Sequence, residues 1–283
     1  MAKKTEAEIR TYLNDFIQRA GHQSRFFADA TKLDTIVKAG PQMLDDWRTW
    51  STTTVPLLGL AMASKYELEM LKLALYDIHV AIGNGSLTQE SETIDTMRKI
   101  CKARVYLQTI FKTGGIQIHY LNSQDPSGPF TTTDIFNTQW GTLKFGGPSK
   151  LGTTVRRVWT NIIANPSTFV KPNIIYIFTD GDPTGERDET LIESLRDCKR
   201  ELEKNQYTTS AIAFTIVQVG KDIPGRKFLQ TISNDTTLRD HVEVVMEEED
   251  LESQFPDSRN PRQDQDYIVL RQFFGALNPK VTP

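Results

Sequence analysis

Cysteine is scarce: two in 283 residues. Neither Cys101 nor Cys198 has a second cysteine or a histidine pair at the spacing a structural metal needs, and a disulfide framework is excluded as the basis of the fold. Both lie on helical apolar stripes and read as small buried hydrophobic residues. Long apolar runs are also lacking. The longest, Val55–Ala63 and Ala211–Val219, fall well short of the ~20 residues that cross a bilayer. Met1-Ala2-Lys3-Lys4 leads straight to Glu6 and Glu8 without the apolar stretch of a secretory signal. The expectation is a cytoplasmic protein of a reducing compartment, with no membrane insertion.

An excess of either charge is missing too. Lys and Arg number 33 against 36 Asp and Glu, for a net charge of -3, and no basic block suggests nucleic acid or an anionic membrane as partner. The densest run, Glu247-Glu248-Glu249-Asp250, reads as a solvated turn. The four histidines are scattered, so no Ser–His–Asp or Cys–His arrangement can be assembled from sequence. His79 alternates with apolar neighbours, as a hydrogen-bonded strand residue would. His119 falls on the polar side of its segment, and His22 and His241 have no acidic or cysteine partner nearby.

What is present is enough apolar material for a core, 38% of residues with 9% aromatic. Residues 1–72 contain no convincing strand. Ile9, Tyr12, Leu13 and Phe16 recur at helical spacing up to Gly21. Phe26, Phe27, Ala30, Leu33 and Val37 predict a second helix stopped by Gly40-Pro41. Trp47 and Trp50 share a helix face beyond it, and another helix is expected from Thr53 through Leu68. The segment reads as an α-helical extension whose aromatic surface, Trp47 and Trp50 above all, is expected to dock onto its own domain, with assembly with another chain as the alternative.

From residue 73 strands alternate with helices, the mark of an open, mostly parallel sheet covered on both faces. Tyr76–Ile82, Ile116–Tyr120, Asn173–Phe178 and Ala211–Val219 are the strand candidates, with Val242–Met246 as an outer strand. Leu151, Val155, Val158, Trp159, Ile162 and Ile163 mark one helix; Leu191, Leu195, Cys198 and Leu202 mark another. Phe228–Ile232 and Tyr267–Leu277 complete the helical set. The expected fold is α/β and Rossmann-like, with a helical extension over 1–72 and an α/β domain over 73–283.

In such a sheet the loops at the carboxyl ends of the strands converge on one crevice. Here they are Gly83–Ser86, Gly146–Thr154 and Thr179–Thr184, which supply Asn84, Ser86, Ser149, Asp180 and Asp182 as candidate binding residues. Hydroxyl, amide and carboxylate oxygens gathered at one edge are the ligands that Mg²⁺ prefers.

These segments carry a resemblance. Tyr76–Leu87 (Tyr-Asp-Ile-His-Val-Ala-Ile-Gly-Asn-Gly-Ser-Leu) resembles the first strand and loop of von Willebrand factor A domains, especially intracellular fungal ones. Ile116–Asn122 resembles the second strand, and Phe145–Thr153 the Gly-Gly-Thr loop. Asn173–Gly181 resembles the strand closing in Thr-Asp-Gly. Phe214–Gly220, Gly225–Leu229 and Leu270–Leu277 match later segments in order. The resemblance covers about 73–283 and implies a module that binds a partner carboxylate through a divalent ion.

Mapped residue by residue, Ser86 matches the second serine of the family's Asp-x-Ser-x-Ser loop, and Asp180 matches its aspartate. Asn84 replaces the first serine, Ile82 stands where the first aspartate belongs, and Pro148 or Ser149 falls at the threonine. Ser86 and Asp180 would be the remnants of a vestigial metal site. The reading is therefore a protein-binding module without catalysis or cofactor. A second reading is a Mg²⁺-dependent phosphoryl-transfer or hydrolytic enzyme using Asp180 and Asp182. A third is a structural subunit that forms a homo-oligomer through residues 1–72.

Overall fold

A computed structural model describes residues 3–53, 66–83, 91–111, 114–121, 127–142, 146–181, 183–220, 222–246 and 277. Its centre is a six-stranded sheet in the order β3-β2-β1-β4-β5-β6. The strands are β1 Asp77–Ile82, β2 Ile116–Tyr120, β3 Ser127–Phe130, β4 Asn173–Thr179, β5 Ile212–Gln218 and β6 Val242–Val245. All neighbours pair in parallel except β3, which runs antiparallel to β2. As expected, β1, β4 and β5 are central and β6 lies at the edge. Every residue of β4 and β5 is buried, which is why their sequences are nearly continuous apolar runs.

Helices cover both faces. They are α1 Glu6–Arg19, α2 Ala30–Thr53, α3 Glu67–Leu71, α4 Ser91–Phe111, α5 Thr133–Trp140, α6 Leu151–Ala164, α7 Glu189–Lys204 and α8 Ile223–Asn234. Because strand side chains alternate between faces, Tyr176 and Phe178 point one way. There Arg104 of α4 stacks its guanidinium over both rings, 4.0 and 5.2 Å from their centroids. His79 and His119 point the other way, toward Val158 and Ile162 of α6. Beside α6 lies α7, joined to it by the Trp159 indole N–H donating to Ser194 Oγ at 3.1 Å.

The N-terminal helices share the same contiguous core as the sheet, through Ile9, Leu13, Phe16, Ile17, Val37 and Leu44. α1 begins with a capping box in which Thr5 and Glu8 satisfy each other's backbone N–H. Its buried stripe is Ile9, Leu13, Phe16 and Ile17; Tyr12 turns partly outward to donate to Glu69.

Three expectations need correction. Gly40-Pro41 does not stop the second helix: α2 runs through it to Thr53. Gly40 instead marks where α1 crosses, since a Cβ there would lie 2.8 Å from Ile9 Cδ1. Leaving out the side chain at a crossing is worth more than the helix propensity it sacrifices. The polar stretch after β2 contains β3, which its Ser-Gly-Pro-Phe sequence does not announce. His119 is buried, not on a solvated face. Of the expected last helix only Leu277 is described, and it is buried; the segment between Thr53 and Tyr66 also lies outside the described residues.

Candidate functional site

The strand order reverses direction between β1 and β4, and sheets of this kind place their ligand crevice at such a switch point, outside the carboxyl ends of the strands. β1 ends there in buried Ile82 and in Gly83, whose N–H donates to Phe178 O at 2.7 Å. β4 ends in Thr179 and Asp180. Asp180 is only 6% exposed, and Thr179 Oγ1 stands 3.4 Å from its Oδ1 while accepting the Gly181 N–H at 3.0 Å.

Gly181 has φ +100, a backbone that side chains rarely adopt. Its backbone lies directly on Gly225 of α8: a Cβ on Gly225 would come within 2.3 Å of Asp180 O. Asp222 caps the start of α8 by accepting the Gly225 N–H. Gln218, at the end of β5, donates to Asp222 O at 3.1 Å. The Asp180 turn is therefore wedged against the first turn of α8, its backbone fixed by contact.

The second wall is the N-terminus of α6. Its first turn leaves backbone N–H groups that no residue within the helix can accept from, and its N-cap, Lys150, makes no side-chain cap bond. The acceptor comes from the loop that follows Asp180. Glu186 takes the Gly152 N–H at 2.5 Å through one carboxylate oxygen; the other takes the Thr153 N–H at 3.0 Å and Thr153 Oγ1 at 2.8 Å. In the same loop Thr184 Oγ1 accepts the Ser149 N–H at 2.9 Å. Thr154 Oγ1 ties the helix to the end of β2 through Leu121 O at 3.3 Å.

Of the candidate residues, the structure brings Asp180 and Ser149 to this crevice, Ser149 buried and joined to the Asp180 loop through Thr184. Asn84, Ser86 and Asp182 lie outside the described residues, and with them the rest of the vestigial metal set. Among the described residues, no three His, Cys, Asp or Glu side chains gather closely enough to hold a metal ion. Thr184 and Glu186 were not singled out from sequence. The one signal was indirect: a helix start at Leu151 without a capping bond of its own needs an acidic acceptor from elsewhere.

No protein-family model and no curated protein matches the sequence. Among solved structures, proximal thread matrix protein 1 from the mussel byssus matches with a TM-score of 0.44 and 15% sequence identity. The alignment covers 71% of this chain and 47% of that one, so the chain spans about half the length of that protein. At this level the likeness carries no reading of function.

Trp47 and Trp50 are placed away from the crevice, on α2, and are 2% and 5% exposed. Their rings lie 5.5 Å apart, and Trp50 stacks on Tyr106 of α4 at 5.8 Å. Beside them Arg48 donates to Glu67 at 2.6 and 2.9 Å. This burial matches the first reading of the pair, docking onto their own domain, and leaves little of either ring to serve as an assembly surface. Stacking on α4 removes their apolar area from water within the chain. No described helix is long and apolar enough to cross a membrane.

Proposed function

We propose that the chain is a non-catalytic protein-binding module of the von Willebrand A type, one that engages its partner at the crevice without a metal ion. The ordered motifs of 73–283 and the mostly parallel sheet with helices on both faces support the type. The observation that carries the metal-independent reading is the pairing of Ile82 with Glu186. A divalent ion needs several hard oxygen ligands, and β1 ends in a buried isoleucine where a carboxylate would have to stand. The amides at the start of α6, the natural seat for a partner's carboxylate, are already held by the chain's own Glu186. A partner therefore meets a surface of loop edges around Asp180 and Ser149, with the α6 amides already taken by Glu186.

The test combines calorimetry with affinity capture from the native source. Titration with Mg²⁺ and Mn²⁺ is expected to show no saturable site in the micromolar range. Capture with the unaltered chain is expected to recover a protein that the Asp180→Ala variant loses, in the presence of chelator as well as without it. A tight metal site abolished by Asp180→Ala would overturn the metal-independent reading. Turnover of a phosphoester that requires Asp180 would overturn the non-catalytic one.

A further inference from the structure

At the opposite end of the strands, away from the crevice, the amino ends of β1, β2 and β4 and the last turns of α6 line a half-open cavity of about 440 Å³. That is within the usual range for small-molecule sites. On the α6 side Val158, Ile162 and Phe169 supply apolar surface, interspersed with Asn161, Asn165 and Thr168. The facing wall is a hydrogen-bonded chain of three polar side chains, Asn173, His79 and His119, on β4, β1 and β2.

The protons along this chain are fixed by its far end. Asn173 Nδ2 donates to Lys171 O at 2.9 Å, so Asn173 Oδ1 faces His79 Nε2, also at 2.9 Å. His79 Nε2 must then carry the hydrogen, and neutral His79 keeps its lone pair on Nδ1. That nitrogen lies 3.2 Å from His119 Nε2, which therefore donates to it. Neutral His119 is left with a lone pair on Nδ1 that has no hydrogen-bond partner among the described residues. Both rings are neutral at pH 7. Burial lowers His79 to about 4, and burial, then His79 and Arg157, lowers His119 to about 3.

Among the described residues no third His, Cys, Asp or Glu joins the two rings in a group that could hold a metal ion. The one charged side chain lining the cavity is Asp77; burial raises its carboxyl pKa, and Lys171 stands 4.0 Å away. No Lys or Arg is among the lining side chains, and the Arg157 charge reaches His119 from beyond them.

We propose that this cavity binds a small neutral ligand with an apolar body and one hydroxyl or amide donor, the donor meeting His119 Nδ1. It is a site separate from the crevice and does not depend on how the crevice works.

The experiment uses phenol and anisole as probes on the full chain at pH 7.5, followed by heteronuclear NMR. Phenol carries the donor and anisole, of similar shape, does not. Phenol is expected to give saturable shifts confined to residues around the cavity, with anisole weaker by at least about fivefold, the effect of one lost hydrogen bond. Histidine ring ¹⁵N shifts are expected to show both rings protonated on Nε2 alone. His119→Phe keeps the ring volume and removes the acceptor; Ile162→Trp fills the cavity and leaves the polar chain intact. Both are expected to abolish the phenol response, and the second keeps the test decisive if the first fails to fold. The proposal is overturned by no saturable response to phenol, by equal affinity for anisole, by a His119 proton on Nδ1, or by unchanged binding in Ile162→Trp.

Discussion

Glu186 shows how much one side chain can decide about a site. Its carboxylate takes two backbone amides and a hydroxyl at the start of α6, doing for that helix what an N-cap residue does elsewhere. Glu186→Ala leaves those amides without their acceptor and removes a negative charge from the positive end of the helix dipole. The expected loss is about 1–2 kcal/mol, read as a lower urea midpoint at unchanged slope. Glu186→Gln retains an acceptor oxygen and should lose less than half as much. If the alanine variant unfolds at the original midpoint, the capping role is wrong. Asp180 could be picked out from sequence because a carboxylate after a buried apolar run marks a strand end at the crevice. Glu186 could not, because nothing local to Thr184-Gly185-Glu186 says which helix lies 34 residues upstream of it in the fold.

Elements whose sequence pattern follows from burial on both faces were the easiest to read. β4 and β5 had to be apolar throughout, and α6 and α7 show their buried stripes at the expected spacing. β3 was illegible, since four residues on an edge carry no period, and α2 was cut short because Gly-Pro ordinarily ends a helix. Two of the helical glycines at close approaches, Gly152 and Gly40, make contrasting predictions. A Cβ on Gly152 of α6 would lie 2.4 Å from the backbone nitrogen of Leu191 in α7, and backbone cannot step aside. Gly152→Ala should therefore lose about 2–3 kcal/mol through overpacking, more than the roughly 1 kcal/mol that alanine returns in helix propensity. On Gly40 the neighbour is the tip of a side chain, Ile9 Cδ1. Gly40→Ala should be only mildly destabilising, and adding Ile9→Val, which removes that tip, should recover stability. A double-mutant cycle by urea denaturation reads the coupling directly; additivity between positions 9 and 40 would show that α1 does not cross α2 there.

Across the whole molecule, His22, His119 and His241 are buried and His79 is largely so, a property that sequence announced only for His79 through its alternation with apolar neighbours. His22 Nε2 shares a hydrogen bond with the Tyr76 hydroxyl at 2.9 Å, and His241 donates from Nδ1 to Thr209 O at 3.0 Å. Burial lowers both to about 4, as it lowers His79, while His119 falls to about 3. In the unfolded chain each would titrate near its ordinary value of 6.5. Between those limits the unfolded state binds protons that the native state refuses, so stability falls as pH falls. Each histidine contributes about 1.4 kcal/mol per pH unit within that window. Four together approach 5–6 kcal/mol per unit, set against a total stability of order 5–15 kcal/mol. Asp77, raised by burial, works in the opposite sense. Asp197, Asp235 and Asp240, lowered by their hydrogen bonds and ion pairs, add their loss at lower pH as the native carboxylates protonate. The stretch from pH 6 to pH 5 is therefore dominated by the histidines, with Asp77 opposing them. Urea denaturation there should show the unfolded state taking up between three and four protons, with the native fold lost before pH 4. An uptake below two would mean that at least two of the four rings are charged in the native protein. Histidine ring ¹⁵N shifts would then identify which of the four burials is wrong.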